Sequence, residues 1–404
     1  MASASHSLCL LLVLLPLSTV TAQTPGNISL GSSLSTNEEN PSWVSPSGEF
    51  AFGFYRLPSR DRFLLSIWFD KIPEKTIVWT ANGDSPVQGG SKVELTTDGQ
   101  LVLTDSQGRV IWRAEPTNGS VTSAAMLDTG NFVLTSKDSA ILWQSFDVPT
   151  DTILPSQKLR FRSELSSRLT KTEYSKGRFR LLLRADGNLV FYLVNLPTEY
   201  RYNAYWVSDS QLGFKLSFHN PNIAQTNDFY ERATLDFDGV LRQYVYPKTG
   251  SGSGSWSAVS FEPRNLCTAI TSDLGSGACG FNSYCKMDDE ERPICLCPPG
   301  YSFLDPNNTF SGCKQDFVSQ SCSLGAEARF ELREMVDTDW PLSDFELYSP
   351  ISEEKCGEFC LSDCFCAVAI FRNGNCWKKK LPLSNGRLDS SVGGKALIKV
   401  SKDI

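Results

Sequence analysis

The chain has 404 residues, is 41% hydrophobic and 21% charged, and carries a net charge of −7. That is ordinary globular composition with length for two to four domains. The acidic balance, with no basic run beyond Lys378-Lys379-Lys380, argues against nucleic acid as a partner.

The N-terminus comes first. Leu8 to Leu17 is a short apolar core broken late by Pro16, and Val20-Thr21-Ala22 offers small residues for cleavage. This pattern predicts a secretory signal over residues 1–22, although its leading segment carries His6 and no Lys or Arg. No other stretch is apolar for long enough to span a bilayer, so the expectation is a chain without a membrane span, exported from the cell. Cysteine parity agrees: Cys9 leaves with the signal, and the even remainder suits full pairing in an oxidising compartment. Asn27, Asn118 and Asn307 each begin an Asn-x-Ser/Thr acceptor for N-glycosylation.

Residues 23–262 read as β throughout. Runs such as Glu49 to Phe54, Leu64 to Phe69 and Thr76 to Trp79 are aromatic and β-branched, and Gly, Pro, Asn and Asp clusters bound them. A hairpin repeats within this region. Asp98-Gly99-Gln100-Leu101-Val102-Leu103 returns as Asp128-Thr129-Gly130-Asn131-Phe132-Val133-Leu134, as Asp186-Gly187-Asn188-Leu189-Val190-Phe191-Tyr192, and more loosely at Asp238-Gly239. Gly48-Glu49-Phe50 makes a fifth candidate copy. The glycine supplies positive φ at a tight turn, and alternating apolar residues then face inward. Trp79, Trp112 and Trp143 recur at nearly even spacing, which predicts strands sharing one aromatic core. The copies fall into two groups, 23–145 and 146–262, with a Gly/Ser loop at Gly250 to Gly254 late in the second.

Residues 263–314 hold six cysteines from Cys267 to Cys313 and little apolar sequence. So small a module needs staples in place of a core. Six cysteines allow 15 pairings; Cys295 and Cys297, two positions apart, are expected to point to different partners. Residues 315–404 form the last unit. Ser352 before Glu353 and Glu354 reads as a helix N-cap with acids in the first turn, and Cys356, Phe359 and Cys360 then share one face. Strands are expected at Ala367 to Phe371 and Ala396 to Val400.

Chemistry is sparse. His219 is the only histidine after the signal and sits in the turn-like Phe218-His219-Asn220-Pro221, so neither a histidine-based hydrolytic triad nor a histidine metal site is expected. Gly275-Ser276-Gly277-Ala278-Cys279-Gly280 matches GxGxxG but follows no strand and opens no helix. No kinase catalytic motif is present, no particular carboxylate pair stands out for glycoside hydrolysis, and no cofactor or metal is called for. The Asp-Gly-Asn hairpins remain as binding candidates. Asp and Asn two residues apart on a strand point the same way, toward vicinal hydroxyls of a sugar or merely into their own turn.

The hairpin repeats, the tryptophan spacing and the run Trp143-Gln144-Ser145-Phe146-Asp147-Val148-Pro149 resemble the bulb-type (monocot mannose-binding) lectin module. The order of units resembles the ectodomain of plant G-type lectin S-receptor-like serine/threonine kinases, in particular the lectin receptor kinase group. The resemblance implies a mainly β fold: tandem β-prism lectin domains (23–145 and 146–262), an EGF-like module (263–314) and an α+β PAN/apple-like domain (315–404). It implies the pairs Cys267–Cys285, Cys279–Cys295, Cys297–Cys313, Cys322–Cys364, Cys356–Cys376 and Cys360–Cys366. The family's sugar motif Gln-x-Asp-x-Asn-x-Val-x-Tyr is met best at Asp186, Asn188, Val190 and Tyr192, with Arg184 in place of Gln. At Thr96, Asp98, Gln100, Val102 and Thr104 it departs at three positions, and at Asp128 an extra residue precedes Asn131. The implied function is non-catalytic recognition of a glycan or protein ligand at the cell surface or in defence signalling, alone or with a co-receptor or second copy. The alternative is a secreted mannose-binding lectin or soluble decoy. The kinase and membrane span of that family have no counterpart in this sequence.

Overall fold

The computed structural model describes residues 27–58, 61–208, 228–248, 254–270, 275–323 and 325–403. The signal segment 1–22, His219 and residues 250–253 of the Gly/Ser loop lie outside the described residues.

Three four-stranded sheets make the first unit. Each is a three-strand antiparallel meander completed by one short strand from the start of the chain. Ser42–Val44 joins Phe50–Arg56, Phe63–Phe69 and Ile77–Thr80. Ser33–Ser35 joins Lys92–Leu95, Leu101–Thr104 and Val110–Arg113. Ile28–Ser29 joins Ser123–Met126, Phe132–Thr135 and Ile141–Gln144. Gly99 (φ +86°) and Gly130 (φ +83°) turn between the first two strands of their meanders, whereas Gly48 (φ +74°) turns between the short strand Ser42–Val44 and Phe50–Arg56; at positive φ the Cβ of an L-residue would clash. The Gly48 turn thus shares the glycine conformation of the repeat and differs in its place in the sheet.

Alternation then sends one face of each sheet inward. Phe52, Ile67, Leu101, Leu103, Phe132 and Leu134 are wholly buried in one cluster. Trp79, Trp112 and Trp143 meet edge to face, with centroids 5.8, 5.9 and 6.1 Å apart, one from each sheet. Edge-to-face contacts suit the positive rim and negative face of the rings. The result is a β-prism closed around a threefold aromatic centre.

The chain leaves the prism through a short turn at Ser145–Asp147. Asn131 holds this exit: its Oδ1 accepts from Ser145 Oγ and Phe146 N, and its Nδ2 donates to Gln144. Thr152–Ile153 then pairs with Phe229–Leu235 in a second set of sheets. One runs Thr152–Ile153, Phe229–Leu235, Leu241–Pro247, Ser257–Glu262; the other runs Glu164–Arg168, Lys176–Leu183, Leu189–Asn195, Tyr200–Val207.

The six-cysteine module contains the short helix Leu266–Ala269 and the hairpins Tyr284–Met287/Pro293–Leu296 and Tyr301–Phe303/Cys313–Gln315. Its disulfides are Cys267–Cys285, Cys279–Cys295 and Cys297–Cys313. It is not an isolated spacer. Leu266, Cys267 and Phe310 share a buried cluster with Phe179, Leu181 and Leu235 of the second sheet set. Arg178, half-buried between them, donates to the carbonyls of Ala278, Gly277 and Phe310 and to Ser276 Oγ; desolvation there pulls its pKa down to about 10. On the other side, Tyr284–Met287 pairs in parallel with Gly386–Leu388 of the C-terminal unit. A module with too little apolar sequence for its own core takes core from both neighbours.

The C-terminal unit is a five-stranded sheet, Phe330–Val336, Lys395–Ser401, Val368–Arg372, Asn375–Lys379, Asp344–Tyr348, with the helix Glu353–Ser362 against it. Ser352 caps the helix, its Oγ accepting from Lys355 N, and Cys356 and Cys360 are fully buried beneath it. The disulfides here are Cys322–Cys364, Cys356–Cys376 and Cys360–Cys366. Lys399, 4% exposed, donates from Nζ to Gln320 Oε1 and to the Asp363 carbonyl, both at 2.7 Å. Burial lowers its pKa to about 8, against the opposing pull of Asp363. Between about 8 and the ordinary lysine range the unfolded chain therefore binds more protons than the folded one, so unfolding free energy rises with pH across that window. Urea titrations at pH 8 and 9.5 will show this rise, and Lys399→Met will reduce it; an unchanged slope in the variant would assign it elsewhere.

Candidate functional site

A strand pointing alternate residues outward offers an external face on each sheet. The outward residues of the repeats are the sequence candidates, and the structure treats the copies differently.

Asp186, Asn188, Val190 and Tyr192 lie on the hairpin into Leu189–Asn195. Asp186 is exposed, but its Oδ1 accepts from the backbone N–H of Asn188 at 3.0 Å and its Oδ2 meets Arg184 Nη2 at 3.0 Å. That backbone bond leads in holding its carboxyl below the usual range, followed by the Asn188 side chain and the Arg184 charge. Asn188 is half-buried and accepts from Ser208. Val190 is buried, and Tyr192 is only 2% exposed. The Tyr192 hydroxyl donates to Glu164, whose carboxylate also meets Arg201 at 2.9 Å and Arg180 at 3.4 Å. The Arg201 guanidinium lies 4.1 Å over the Tyr192 ring. Burial, then Glu164, raises the phenol well above its ordinary pKa. Three charged side chains from neighbouring strands thus cover both the ring and the hydroxyl. The motif's turn is open, and its far end is closed.

At the Asp128 copy, Asp128 Oδ1 accepts from Ser47 N and Oγ, tying this hairpin to the Gly48 hairpin. Asn131 is consumed by the exit network and Val133 is buried. At the Asp238 copy the carboxylate is buried and bidentate to Arg242 Nη1, at 2.8 Å to each oxygen.

The Asp98 copy differs. Asp98 and Gln100 are exposed, and Thr96, Val102 and Thr104 are half-exposed along the same outer face of Leu101–Thr104. Asp98 Oδ1 accepts from the Thr96 hydroxyl at 2.5 Å, and Oδ2 from Gln100 Nε2 at 3.0 Å. The Thr96 bond leads in holding the Asp98 carboxyl below its usual range. The inward partners Leu101 and Leu103 are wholly buried, so the strand cannot rotate this face away. It combines a fixed carboxylate, a carboxamide and two hydroxyls beside an apolar Val102. Sequence reasoning ranked this copy lower because it scored residue identity, and exposure depends on strands remote in sequence.

Asn27, Asn118 and Asn307 are all exposed. Among the described residues no three His, Cys, Asp or Glu side chains group as metal ligands, and no helix is long and apolar enough to cross a membrane.

Comparison with known proteins follows this geometry. The family described as D-mannose binding lectin matches residues 76–176, which span the Asp98 and Asp128 hairpins and the entry to the second sheet set. The chain is 46% identical over 427 aligned positions to the G-type lectin S-receptor-like serine/threonine-protein kinase LECRK1 of Oryza sativa subsp. japonica, covering 95% of this chain and 52% of that protein. It is 38% identical to RLK1 of the same description from Arabidopsis thaliana, covering 93% of this chain and 50% of that protein. The chain spans about half the length of the curated relatives it matches. Among solved structures, the two-domain agglutinin of Scilla campanulata, titled a fetuin-binding protein, aligns with 58% of this chain and 93% of its own, at 16% identity and a TM-score of 0.19.

Proposed function

The chain being similar along nearly its whole length to plant G-type lectin S-receptor-like kinases, we propose that it is an extracellular carbohydrate-recognition ectodomain without catalysis of its own. It would serve ligand sensing in cell-surface or defence signalling. The observation that carries the reading is the open outer face of Leu101–Thr104, where Asp98 and Gln100 stand exposed at the head of a strand whose other face is locked in the core. A carboxylate and a carboxamide held two residues apart give fixed acceptors and donors for the vicinal hydroxyls of a neutral hexose, and Val102 gives an apolar rest for its C–H face. The six disulfides suit an extracellular setting.

A glycan array of neutral mannose-containing oligosaccharides tests this. Binding is expected, with a loss of about tenfold or more in Asp98→Ala, since the sugar hydroxyls lose a charged acceptor. Asp186→Ala is expected to leave the signal unchanged. Silence across the array would sink the reading, and sensitivity to Asp186 in place of Asp98 would move the site to the second unit.

A further inference from the structure

A second concavity lies where the prism, the second sheet set and the six-cysteine module meet. It measures about 750 Å³, within the range of about 300–1,000 Å³ usual for small-molecule sites. Thr76 comes from the prism, Arg168, Arg232, Tyr244 and Trp256 from the second set, and Arg292 from the module.

Its arginines are not equivalent. Arg168 meets Asp151 at 2.5 Å, and Arg292 meets Asp236 at 3.6 Å. Arg232 has no carboxylate within ion-pair distance among the described residues. Its guanidinium lies 4.2 Å over the ring of Tyr244 and 4.6 Å over that of Trp256. Nη1 donates to Thr234, and Nε, though buried, makes no hydrogen bond. An aromatic face attracts a cation but leaves its N–H donors unmet. Burial leads in pulling the Arg232 pKa below the usual arginine range; the nearby Asp236 opposes that fall and Arg168 adds to it.

The rest of the lining restricts the anion. Glu74, Asp151, Asp236 and Glu290 also line the cavity; by like-charge repulsion they disfavour any ligand that carries more than one negative charge. The Trp256 indole is fixed by its N–H, which donates to Thr76 Oγ1 at 2.8 Å, and the Tyr244 hydroxyl is fixed on Asp236 at 2.6 Å. Rigid aromatic walls beside hydroxyl and carboxylate acceptors suit a flat, hydroxyl-rich ring. Lys171, exposed, also lines the cavity and forms no ion pair among the described residues.

We propose that this three-way cleft binds a singly charged acidic saccharide, one uronic acid residue, with the carboxylate on Arg232 and the sugar ring beside Trp256 and Tyr244. A planar carboxylate takes parallel N–H donors from a guanidinium, which a neutral sugar cannot do. The site is separate from the outer face at Asp98 and does not depend on it.

The probe is the methyl glycoside of galacturonic acid, titrated calorimetrically into the full disulfide-bonded chain, with its methyl ester and inorganic phosphate as comparators. Saturable binding of the acid is expected, weakened by salt, and at least about tenfold weaker for the methyl ester and for Arg232→Gln, as befits loss of a charge-assisted pair. Lys171→Glu, at an exposed position that leaves the core alone, should weaken binding several-fold. Asp98→Ala should leave it unchanged. The proposal is overturned by absence of saturable binding, by equal binding of the ester, by a folded Arg232→Gln or Lys171→Glu chain that binds as the parent does, by phosphate competing at equal concentration, or by loss on Asp98→Ala. None of these outcomes bears on binding of neutral glycans at the prism face.

Discussion

Trp340→Ala is expected to lower the free energy of unfolding by about 3–5 kcal/mol, the usual cost of emptying a large aromatic site. Trp340 is wholly buried, packs edge to face on Tyr284 of the six-cysteine module, and donates its indole N–H to the Ser283 carbonyl at 2.8 Å. The strand just before it, Thr338–Asp339, pairs with Gly386–Leu388, which in turn pairs with Tyr284–Met287. One side chain thus serves as the peg of a sheet shared by two units. The space has no slack: a Cβ on Gly386 would stand 2.2 Å from Ser283 O and 2.3 Å from the indole nitrogen. Trp340→Phe should cost less, mainly the orphaned Ser283 carbonyl, about 1–3 kcal/mol. Denaturant titration with intact disulfides measures both. A Trp340→Ala chain within about 1 kcal/mol of its parent would show that the junction is held elsewhere.

Arg242→Ala should be comparably damaging, about 3–5 kcal/mol, for an electrostatic reason. The Arg242 side chain is 3% exposed and that of Asp238 2%. Nη1 bonds both Asp238 oxygens and Asp236 Oδ2, each at 2.8 Å. Burial, with Asp236 beside it, pushes the Asp238 carboxyl upward, and Arg242 opposes that push. Removing the arginine leaves the two carboxylates side by side, with Arg292, 3.6 and 3.5 Å away, as their remaining ion-pair partner among the described residues. The variant must then hold a proton there that the unfolded chain releases near its ordinary carboxylate pKa. Its deficit should shrink at pH 5 and grow toward pH 7.5, a steeper fall than the parent shows. Replacing both partners with apolar residues, Arg242→Met with Asp238→Leu, should recover much of the loss. A deficit independent of pH would mean that the arginine acts by packing alone.

What the sequence makes legible here is local. Asp-Gly with alternating apolar residues specifies a hairpin because turn and inward face lie within one short run. The even spacing of Trp79, Trp112 and Trp143 announces a shared centre, and Ser352 with two following acids announces a helix start. Tyr192 is the counter-example. It completes the best sugar motif in the chain, yet Glu164, Arg180 and Arg201 close over it from strands on either side. Nothing within the motif carries that information. Arg178 and Trp340 are likewise ordinary residues in sequence, and their weight comes from carbonyls about a hundred and about sixty positions away. The three-way cleft is invisible for the same reason, since each of three units supplies part of its wall.

The opening strands of the chain bear on timing. Ile28 pairs with Ala124, Leu34 with Val93, and Trp43 with Phe52. During synthesis the segment that emerges first finds one partner almost at once, a second well later and the third only when the prism is nearly complete. Contacts of such unequal reach form in order of loop length. The prism is therefore closed at its last sheet, and a chain halted before Ala124 would keep an open strand edge ready to pair with a neighbour.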